Sequence, residues 1–399
     1  MKRFLCLFAC ALAVGFASAA EEFDASVDRS DPNFVKASLL VFGPGEQLYS
    51  CAGHIAFRLE CPHYKLDNVF SYEGENAADN VRRFFAGRLK MGMLAIPTKD
   101  FLVQYAEASR GARQYPLDLS PAAKVRLWKL FDDLVAKGAD LPYDYIKRGC
   151  AQSTLQTLLQ AIRPERIESG VWPERYDRSR REILQSYIAD APWTRLLLHM
   201  ISGPAADVAF SPVDKIITPD DLLEYLRRIR VEGRPVLTGE PVELLPQTLH
   251  TNPPPVTPLM AAWAAVVLAI VGCFWARRPI GVVLGALYVA LALAETYIVC
   301  FSDLPASDWN WLIVPFNPLP LVFWRGRRRW GRWAAAVIAV WAAAMLLAPH
   351  QLTDPAFVVL ALAYAAIFAR RGHGQNGGRR VLVSQFLSPL LPDLCYNAR

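Results

Sequence analysis

Two residues in this chain have the types and the setting for nucleophilic chemistry: Cys150 and His54. Cys150 opens a stretch, 150–162, in which Leu155, Leu158, Leu159 and Ile162 keep the i, i+3, i+4, i+7 spacing of a buried helix face. The loop 141–149 leads into it, so the thiol is expected at a helix N-terminus. There the unpaired backbone N–H groups and the positive end of the helix dipole favour a thiolate, and one of those N–H groups can face an oxyanion. Such a thiol needs a base. His54 begins an alternating segment, 54–60, with Ile55, Phe57 and Leu59 on one face and His54, Ala56, Arg58 and Glu60 on the other. That is the pattern of a half-buried strand. The other histidines between 20 and 257 are His63, His199 and His250, of which His63 follows Pro62 in an expected loop and His250 lies in an expected linker. By periodicity alone the pair also fits a buried apolar cysteine and a histidine satisfied by a backbone carbonyl.

The elements that must position this pair make an α+β domain. Residues 37–43 read as a buried strand followed by the turn Gly43-Pro44-Gly45, and a third strand is expected at 68–72. Ser120-Pro121 and Thr218-Pro219 each place a capping hydroxyl before a proline at the first helical position. Leu127, Leu130, Phe131 and Leu134 then mark one apolar stripe, and Leu222, Tyr225, Leu226 and Ile229 another. The chain holds no internal repeat, Gly-rich phosphate loop or CxxC pair, so neither cofactor nor metal is expected.

Charge and hydropathy say where this domain resides. The chain has 399 residues, 53% of them hydrophobic, and a net charge of +6, but the charge is not spread evenly. Residues 258–399 carry 12 Arg and no Lys against 5 acidic residues, while residues 20–257 carry 29 basic and 32 acidic residues. A net of −3 on the globular part excludes a nucleic-acid reading. Residues 1–19 start with Lys2 and Arg3, continue as a short apolar run and end in small residues, the layout of a secretory signal peptide with cleavage after Ala19 or Ala20. After a Pro-rich linker at 251–257, apolar runs follow at about 258–276, 279–301, 309–324, 333–349 and 355–369. Arginine clusters come after the first, third and fifth, and the links after the second and fourth contain none. The positive-inside rule accounts for that alternation if all five runs cross. The expected order is therefore a signal peptide (1–19), an exported domain (20–250), the linker, five transmembrane helices within 258–371 and a cytoplasmic tail (372–399). Glu295, inside the second run, is a functional-site candidate because carboxylates are costly there. The exported domain keeps Cys51, Cys61 and Cys150, of which Cys51 and Cys61 are candidates to pair.

The wording around His54 and Cys150 adds to this. Tyr49-Ser50-Cys51-Ala52-Gly53-His54-Ile55-Ala56-Phe57-Arg58 resembles the Ser-x-x-Gly-His-x-x-x-Arg segment of the Lnb-type lipoprotein N-acyltransferase family, in its N-terminal periplasmic domain. Phe70-Ser71-Tyr72-Glu73-Gly74, Phe85-Ala86-Gly87-Arg88-Leu89, and Tyr143-Asp144-Tyr145 through Cys150, Ser153 and Thr154 are similar to further family segments, in the family's order. The stretch from Ser302-Asp303-Leu304-Pro305 through Asp308-Trp309-Asn310 to Phe316-Asn317-Pro318-Leu319 is similar to the membrane-half signature. Gly149 stands where the family usually has Asn, and Ala151-Gln152-Ser153-Thr154 loosens the family's Cys-x-Thr.

The resemblance implies a circularly permuted papain-like (NlpC-type) periplasmic domain, His before Cys in the chain, followed by a five-helix transmembrane bundle in a bacterial inner membrane. It implies a thiol acyltransferase: Cys150 takes an acyl chain from a diacylglyceryl lipid or lipoprotein and passes it to an amine, leaving a lyso-lipid. The partners implied are membrane lipid or lipoprotein. Tyr72 and Glu73 compete with Ser71 and His63 to orient the imidazole. Tyr145 and Ser153 are candidates beside the oxyanion. Arg58 is a candidate for a head group or for a structural ion pair, and Asp308 and Asn310 gather with Asp303 and Asn317 where an acyl-bearing substrate would arrive. A periplasmic cysteine peptidase or amidase uses the same dyad, and a non-catalytic envelope-lipid-binding scaffold is the other competing class.

Overall fold

The computed structural model describes residues 31–371 apart from 32, 46–49, 78, 139, 145–148, 171–177, 209–215, 250–253, 275–276, 305–306, 323–327 and 348–350. The expected signal peptide, Tyr145, part of the linker and the expected tail lie outside the described residues.

In chain order the first half runs β1 (Lys36–Phe42), β2 (His54–Cys61), β3 (Leu66–Gly74), α1 (Val81–Phe85), β4 (Lys90–Pro97), α2 (Thr98–Glu107), β5 (Ala112–Pro116), α3 (Pro121–Lys137), β6 (Leu141–Pro142) and α4 (Cys150–Ile162). It continues with β7 (Ile167–Ser169), α5 (Arg180–Tyr187), α6 (Pro192–Ile201), α7 (Pro219–Leu226), β8 (Ile229–Val231), β9 (Arg234–Pro235) and β10 (Val242–Leu245). Seven strands form one antiparallel sheet in the order β10-β5-β1-β2-β3-β4-β6, and β7-β8-β9 form a small second one. The fold is α+β.

Strand alternation gives the large sheet two apolar faces. One carries Leu39, Ile55, Phe57, Leu59, Phe70 and Tyr72 against α3 and α4, where Leu127, Phe131, Leu155 and Leu158 are fully buried. The other carries Leu40, Phe42, Ala56 and Val69 against Phe101 and Tyr105 of α2. Each of these large apolar side chains contributes about 1.5–3 kcal/mol by leaving water. The helix starts follow their caps: Ser120 accepts from Ala123 N–H ahead of Pro121, and Thr218 with Asp221 makes a capping box ahead of Pro219.

The second half contains α8 (Pro258–Phe274), α9 (Arg277–Phe301), α10 (Leu319–Val322), α11 (Arg328–Leu347) and α12 (Pro355–Arg371). Within α9 and α11, Pro279–Phe301 and Arg329–Leu347 are long and apolar enough to cross a membrane, and α8 and α12 are shorter apolar helices. One expectation needs correction: the run 309–324 is not one helix. It holds a 3-10 turn, Trp311–Ile313, and the four-residue α10. Pro315, Pro318 and Pro320 supply no N–H to a helical ladder. Polar side chains take over instead: Asn310 accepts from Leu312 N–H, Asn317 accepts from Leu319 N–H, and Tyr288 of α9 donates to the carbonyls of Pro315 and Asn317.

The ends of these helices sort into two levels. Gly272 lies against Ile280, Gly331 against the Phe368 carbonyl, and Tyr364 donates to the Leu284 carbonyl, so the first turns of α9 and α11 share a level with the last turns of α8 and α12. At the other level Asn310 meets Gln351 and the Met200 carbonyl of α6. The segment 311–322 therefore runs beside α9 from one level to the other. On α9 the inward stripe is Leu284, Tyr288, Ala292, Glu295 and Ile298. Glu295 on it is fully buried, and neither carboxyl oxygen has a hydrogen-bond partner among the described residues.

Candidate active site

A tight turn brings the chain into β2. Gly53 donates to the Ser50 carbonyl (2.9 Å) and has φ +82°, and a Cβ there would lie 2.7 Å from the Phe42 carbonyl oxygen. Only glycine suits both demands, which accounts for the Gly before His54. From His54 the strand pairs with β1 along its length, but its pairing with β3 runs only from Cys61↔Leu66 to Phe57↔Phe70. Both strands continue past that point, to His54 and Gly74, without pairing. The opening is where α4 begins. Ile55 N–H, freed from the ladder, donates to the Cys150 sulfur, and Cys150 and His54 share a hydrogen bond.

Continuing the β2–β3 register sets Glu73 opposite His54 and Ser71 opposite Ala56. Ser71 Oγ donates to Glu73 Oε1 (2.7 Å) and lies 2.7 Å from His54 Nε2, and Glu73 Oε1 itself is 3.4 Å from that nitrogen. Because the serine proton is committed to the carboxylate, Ser71 Oγ accepts from Nε2–H. That fixes the tautomer and leaves Nδ1 as the nitrogen able to take the thiol proton.

The electrostatics follow. Burial pushes the Cys150 thiol up, but the charge and hydrogen bond of His54 and the Ile55 N–H outweigh it, so its pKa lies below the ordinary thiol value. Burial pulls His54 down, and the charges of Cys150 and Glu73 with the Cys150 hydrogen bond more than reverse this, holding it well above the usual imidazole value. Glu73 is raised by burial and lowered further by His54, Ser71 and Arg110, ending below the usual carboxylate range. Both shifts favour passage of the thiol proton to an imidazole backed by a carboxylate. The side chains of His54 and Glu73 keep 13% and 37% exposure, so a substrate can reach them.

At the start of α4, Gly149 is the N-cap with an extended backbone and no capping side chain. Nothing lies within 4 Å of the place a Cβ would take there. The family's Asn would fit, and its loss at an N-cap costs only a few tenths of a kcal/mol when Gly replaces it. The first N–H groups of α4 remain available to an oxyanion.

The other expected site residues fall elsewhere. Tyr72, opposite in parity to Ser71 and Glu73, points into the core and bonds Thr157 Oγ1 (2.6 Å) on α4; it supports the cysteine helix and does not meet His54. Arg58 forms a bidentate pair with Asp67 (2.8 and 2.7 Å), donates to Gln114 (2.7 Å) and lies 3.1 Å from Glu60, which is the structural ion pair of its two readings. Ser153 sits one turn into α4, with its N–H on the Gly149 carbonyl. Asn310 is buried and fully used, donating to the Met200 carbonyl (2.6 Å) and accepting from Leu312 N–H and Gln351, while Asp308 is exposed on the same turn. His63 packs on Phe34 and Tyr64 beyond the far end of β2. Cys51 and Cys61 form no disulfide: the eight-residue β2 separates them by roughly 20 Å, against a Cα limit near 7 Å for one. Burial pushes the Cys51 thiol up to about 11. Tyr105 and Arg110 give no signal in the sequence: 45 residues separate Tyr105 from Cys150, and neither belongs to a recognisable motif.

Residues 22–178 match the family model described as the Lnb N-terminal periplasmic domain. This part of the chain is similar to that family over 157 of the 399 residues. The matched span includes His54, Ser71, Glu73 and Cys150. No curated protein and no solved structure matches the chain.

The Lnb domain is locked to the helical half at two places. Ser302 donates to the Phe85 carbonyl (2.5 Å), Asp303 N–H to the Ala86 carbonyl (3.0 Å), and Arg88 pairs with Asp303 (2.9 Å). Leu304 is buried with Phe84, Leu89, Ile201 and Ile298. Gly87, at φ +69°, leaves room for this approach; a Cβ would overlap the backbone of Asp303 and Leu304. On the other side, α6 sends Leu196 and Met200 into the bundle, and His199 donates from Nδ1 to the Leu352 carbonyl (2.9 Å) while Nε2 faces Gln185 (2.8 Å). Burial and the Arg181 charge hold His199 down at about 4, so it is a neutral structural residue at neutral pH.

Two predictions arise here. Glu73→Gln is expected to lower thioester formation at Cys150 by ~10²–10³-fold through loss of the tautomer that Ser71 and Glu73 enforce, with Ser71→Ala costing less because Glu73 can close on Nε2. Intact-protein mass spectrometry after a short pulse of ester reads this, and equal rates for Glu73→Gln and the parent would refute it. Gly87→Ala is expected to destabilise the joint between the two halves by ~2–3 kcal/mol through strain at positive φ and overlap with 303–304. Faster limited proteolysis of the detergent-solubilised protein should report it; an unchanged digestion rate would count against the joint.

Proposed function

We propose that the protein is a membrane-anchored thiol acyltransferase that moves an acyl chain from a diacylglyceryl lipid or lipoprotein to an amine. The observation that carries this reading is the Cys150–His54–Ser71–Glu73 chain at the helix start of an Lnb domain seated on a lipid-type apolar bundle. We read the domain as a circularly permuted papain-like unit, its histidine strand preceding its cysteine helix. The chain crosses the bacterial inner membrane five times, the third time as the broken segment 311–322, with the Lnb domain in the periplasm. The levels of the helix ends support this: the starts of α9 and α11 and the end of α12, all rich in arginine, share one level away from the Lnb domain.

In the first half-reaction His54 Nδ1 holds the thiol proton and Cys150 Sγ adds to the ester carbonyl. The C–S bond forms, the carbonyl pair moves to oxygen, and α4 N–H groups face that oxygen. Collapse restores the carbonyl, breaks the C–O bond and expels an alkoxide that takes the proton from His54. In the second, the amine adds to the thioester, His54 accepts its proton, and the C–S bond breaks to give the amide and the thiolate. Glu73 and Ser71 keep the imidazole in register through both. The apolar seating favours acyl chains over a peptide substrate, because the Lnb domain packs through Phe84 and Leu89 onto Ile298 and Leu304 at the outer end of α9.

Mass spectrometry of lipoprotein N-termini from cells with and without the protein tests the proposal. An N-acylated, lyso-form terminus that depends on the protein is expected; an unchanged acylation pattern would overturn it.

A further inference from the structure

We propose that Tyr105 is a further catalytic residue, its hydroxyl donating a hydrogen bond to the carbonyl oxygen that becomes negative when the Cys150 thiolate adds. This rests on the acyl-transfer reading above. Tyr105 closes the buried stripe Thr98, Phe101, Tyr105 of α2, and this stripe covers the His54 face of the sheet. Phe101 fills the apolar space over Phe42 and Val69. One turn on, the Tyr105 ring stacks on Phe42 (3.8 Å between centroids, 20°) and lies 6.5 Å from the imidazole of His54 at 15° to it. The Arg110 guanidinium sits 4.7 Å over the ring and is anchored by two hydrogen bonds to the Gly43 carbonyl. The ring is thus clamped between an apolar and a cationic partner, beside the histidine and at the mouth of the opened β2–β3 ladder.

The residue is 6% exposed, yet its hydroxyl makes no hydrogen bond among the described residues, and it is not one of the polar atoms sealed from solvent. The hydroxyl therefore reaches solvent with no protein partner to hold it, and a substrate oxygen that displaces water there can take its hydrogen bond. Burial raises the phenol's pKa and outweighs the lowering by His54 and Arg110, so it stays a protonated donor at neutral pH. In the step itself Tyr105 keeps its proton: the thiolate adds, the carbonyl pair moves to oxygen, the hydroxyl hydrogen-bonds that oxygen, and collapse releases the bond as the alkoxide leaves with the His54 proton.

The full chain in detergent, with p-nitrophenyl butyrate as the ester probe and iodoacetamide as a second thiol probe, tests this. Alkylation by iodoacetamide is a displacement at saturated carbon and forms no oxyanion. Tyr105→Phe keeps the ring and its stack. The expected result is a fall in kcat for Cys150 acylation of ~10²-fold, the loss typical of one oxyanion donor, with KM within ~3-fold and the rate and pH profile of alkylation unchanged. Acylation at the parental rate would overturn the proposal, and so would a parallel fall in alkylation, which would make Tyr105 a packing residue for the pair. If the parent protein alkylates at Cys150 but accepts no acyl group from the ester, the acyl-transfer reading fails first and this proposal with it.

Discussion

Cys150→Ala is expected to carry no acyl group after exposure to a diacylglyceryl ester, while its melting temperature stays within about 3 °C of the parent. The argument for the first half is chemical. Among the described residues no other thiol lies beside the imidazole: Cys61 is at the far end of β2, Cys300 is near the end of α9, and the Cys51 thiol is pushed up to about 11. Loss of a nucleophile in a cooperating set costs on the order of 10⁶-fold, so transfer falls to background. The argument for the second half is structural. Cys150 is half-buried at the first turn of α4, and the helix is held by Ala151, Leu155, Leu158 and Ile162 rather than by the sulfur. Losing one small, partly exposed side chain costs under ~1 kcal/mol, or about 3 °C for a domain of this size. Mass spectrometry of the intact protein and thermal melting in detergent read the two halves. Acylation retained in Cys150→Ala would sink the nucleophile assignment outright.

His54→Ala is expected to slow alkylation of Cys150 at pH 6 by ~100-fold and to make less difference as the pH rises through the alkaline range. The sign comes from the pair. With His54 present the thiol's pKa lies below its ordinary value, so thiolate persists as the pH falls through the range where a free thiol protonates. Without the imidazolium, burial and the Glu73 charge raise the pKa and only the Ile55 N–H still lowers it. A thiol of ordinary pKa is only about 0.3% ionised at pH 6, which sets the size of the effect. As the pH rises through the alkaline range the thiol without His54 ionises as well, and the rates converge. The rate of iodoacetamide labelling across pH 5–10 is the measurement, and parallel profiles for the two proteins would show that His54 does not hold the thiolate. Ester-driven acylation should fall further than alkylation, because His54 also returns the proton to the leaving alkoxide.

The helix at 150–162 and the strand from His54 were legible because each pattern is local: a 3.6-residue or two-residue repeat needs only neighbours in sequence. The Arg alternation was legible for a similar reason, since orientation depends on which links carry charge. The third orienting group was not. Ser71, Tyr72 and Glu73 are adjacent in sequence, and only the β2–β3 register decides which of them stands opposite His54. That register turned Tyr72 into the core and brought Ser71 and Glu73 to Nε2. The Cys51–Cys61 pairing fails for a similar reason: ten positions look close in sequence, but an extended strand between them does not fold back.

Segments 85–89 and 302–304 show the same division at longer range. Each stands out in the sequence, and nothing in either says that they touch, because their contact depends on Gly87 leaving space for a backbone 216 residues away. By itself the sequence determined the types of residue available for chemistry, the helix that carries the thiol, the strand that carries the base, and the charge asymmetry of the apolar half. The tertiary structure alone decided which nitrogen of His54 is free, which carboxylate backs it, how the third apolar run is broken, and what the Lnb domain rests on. Those are properties of distance between chain-remote groups, and distance is set by register and packing, which no local periodicity encodes.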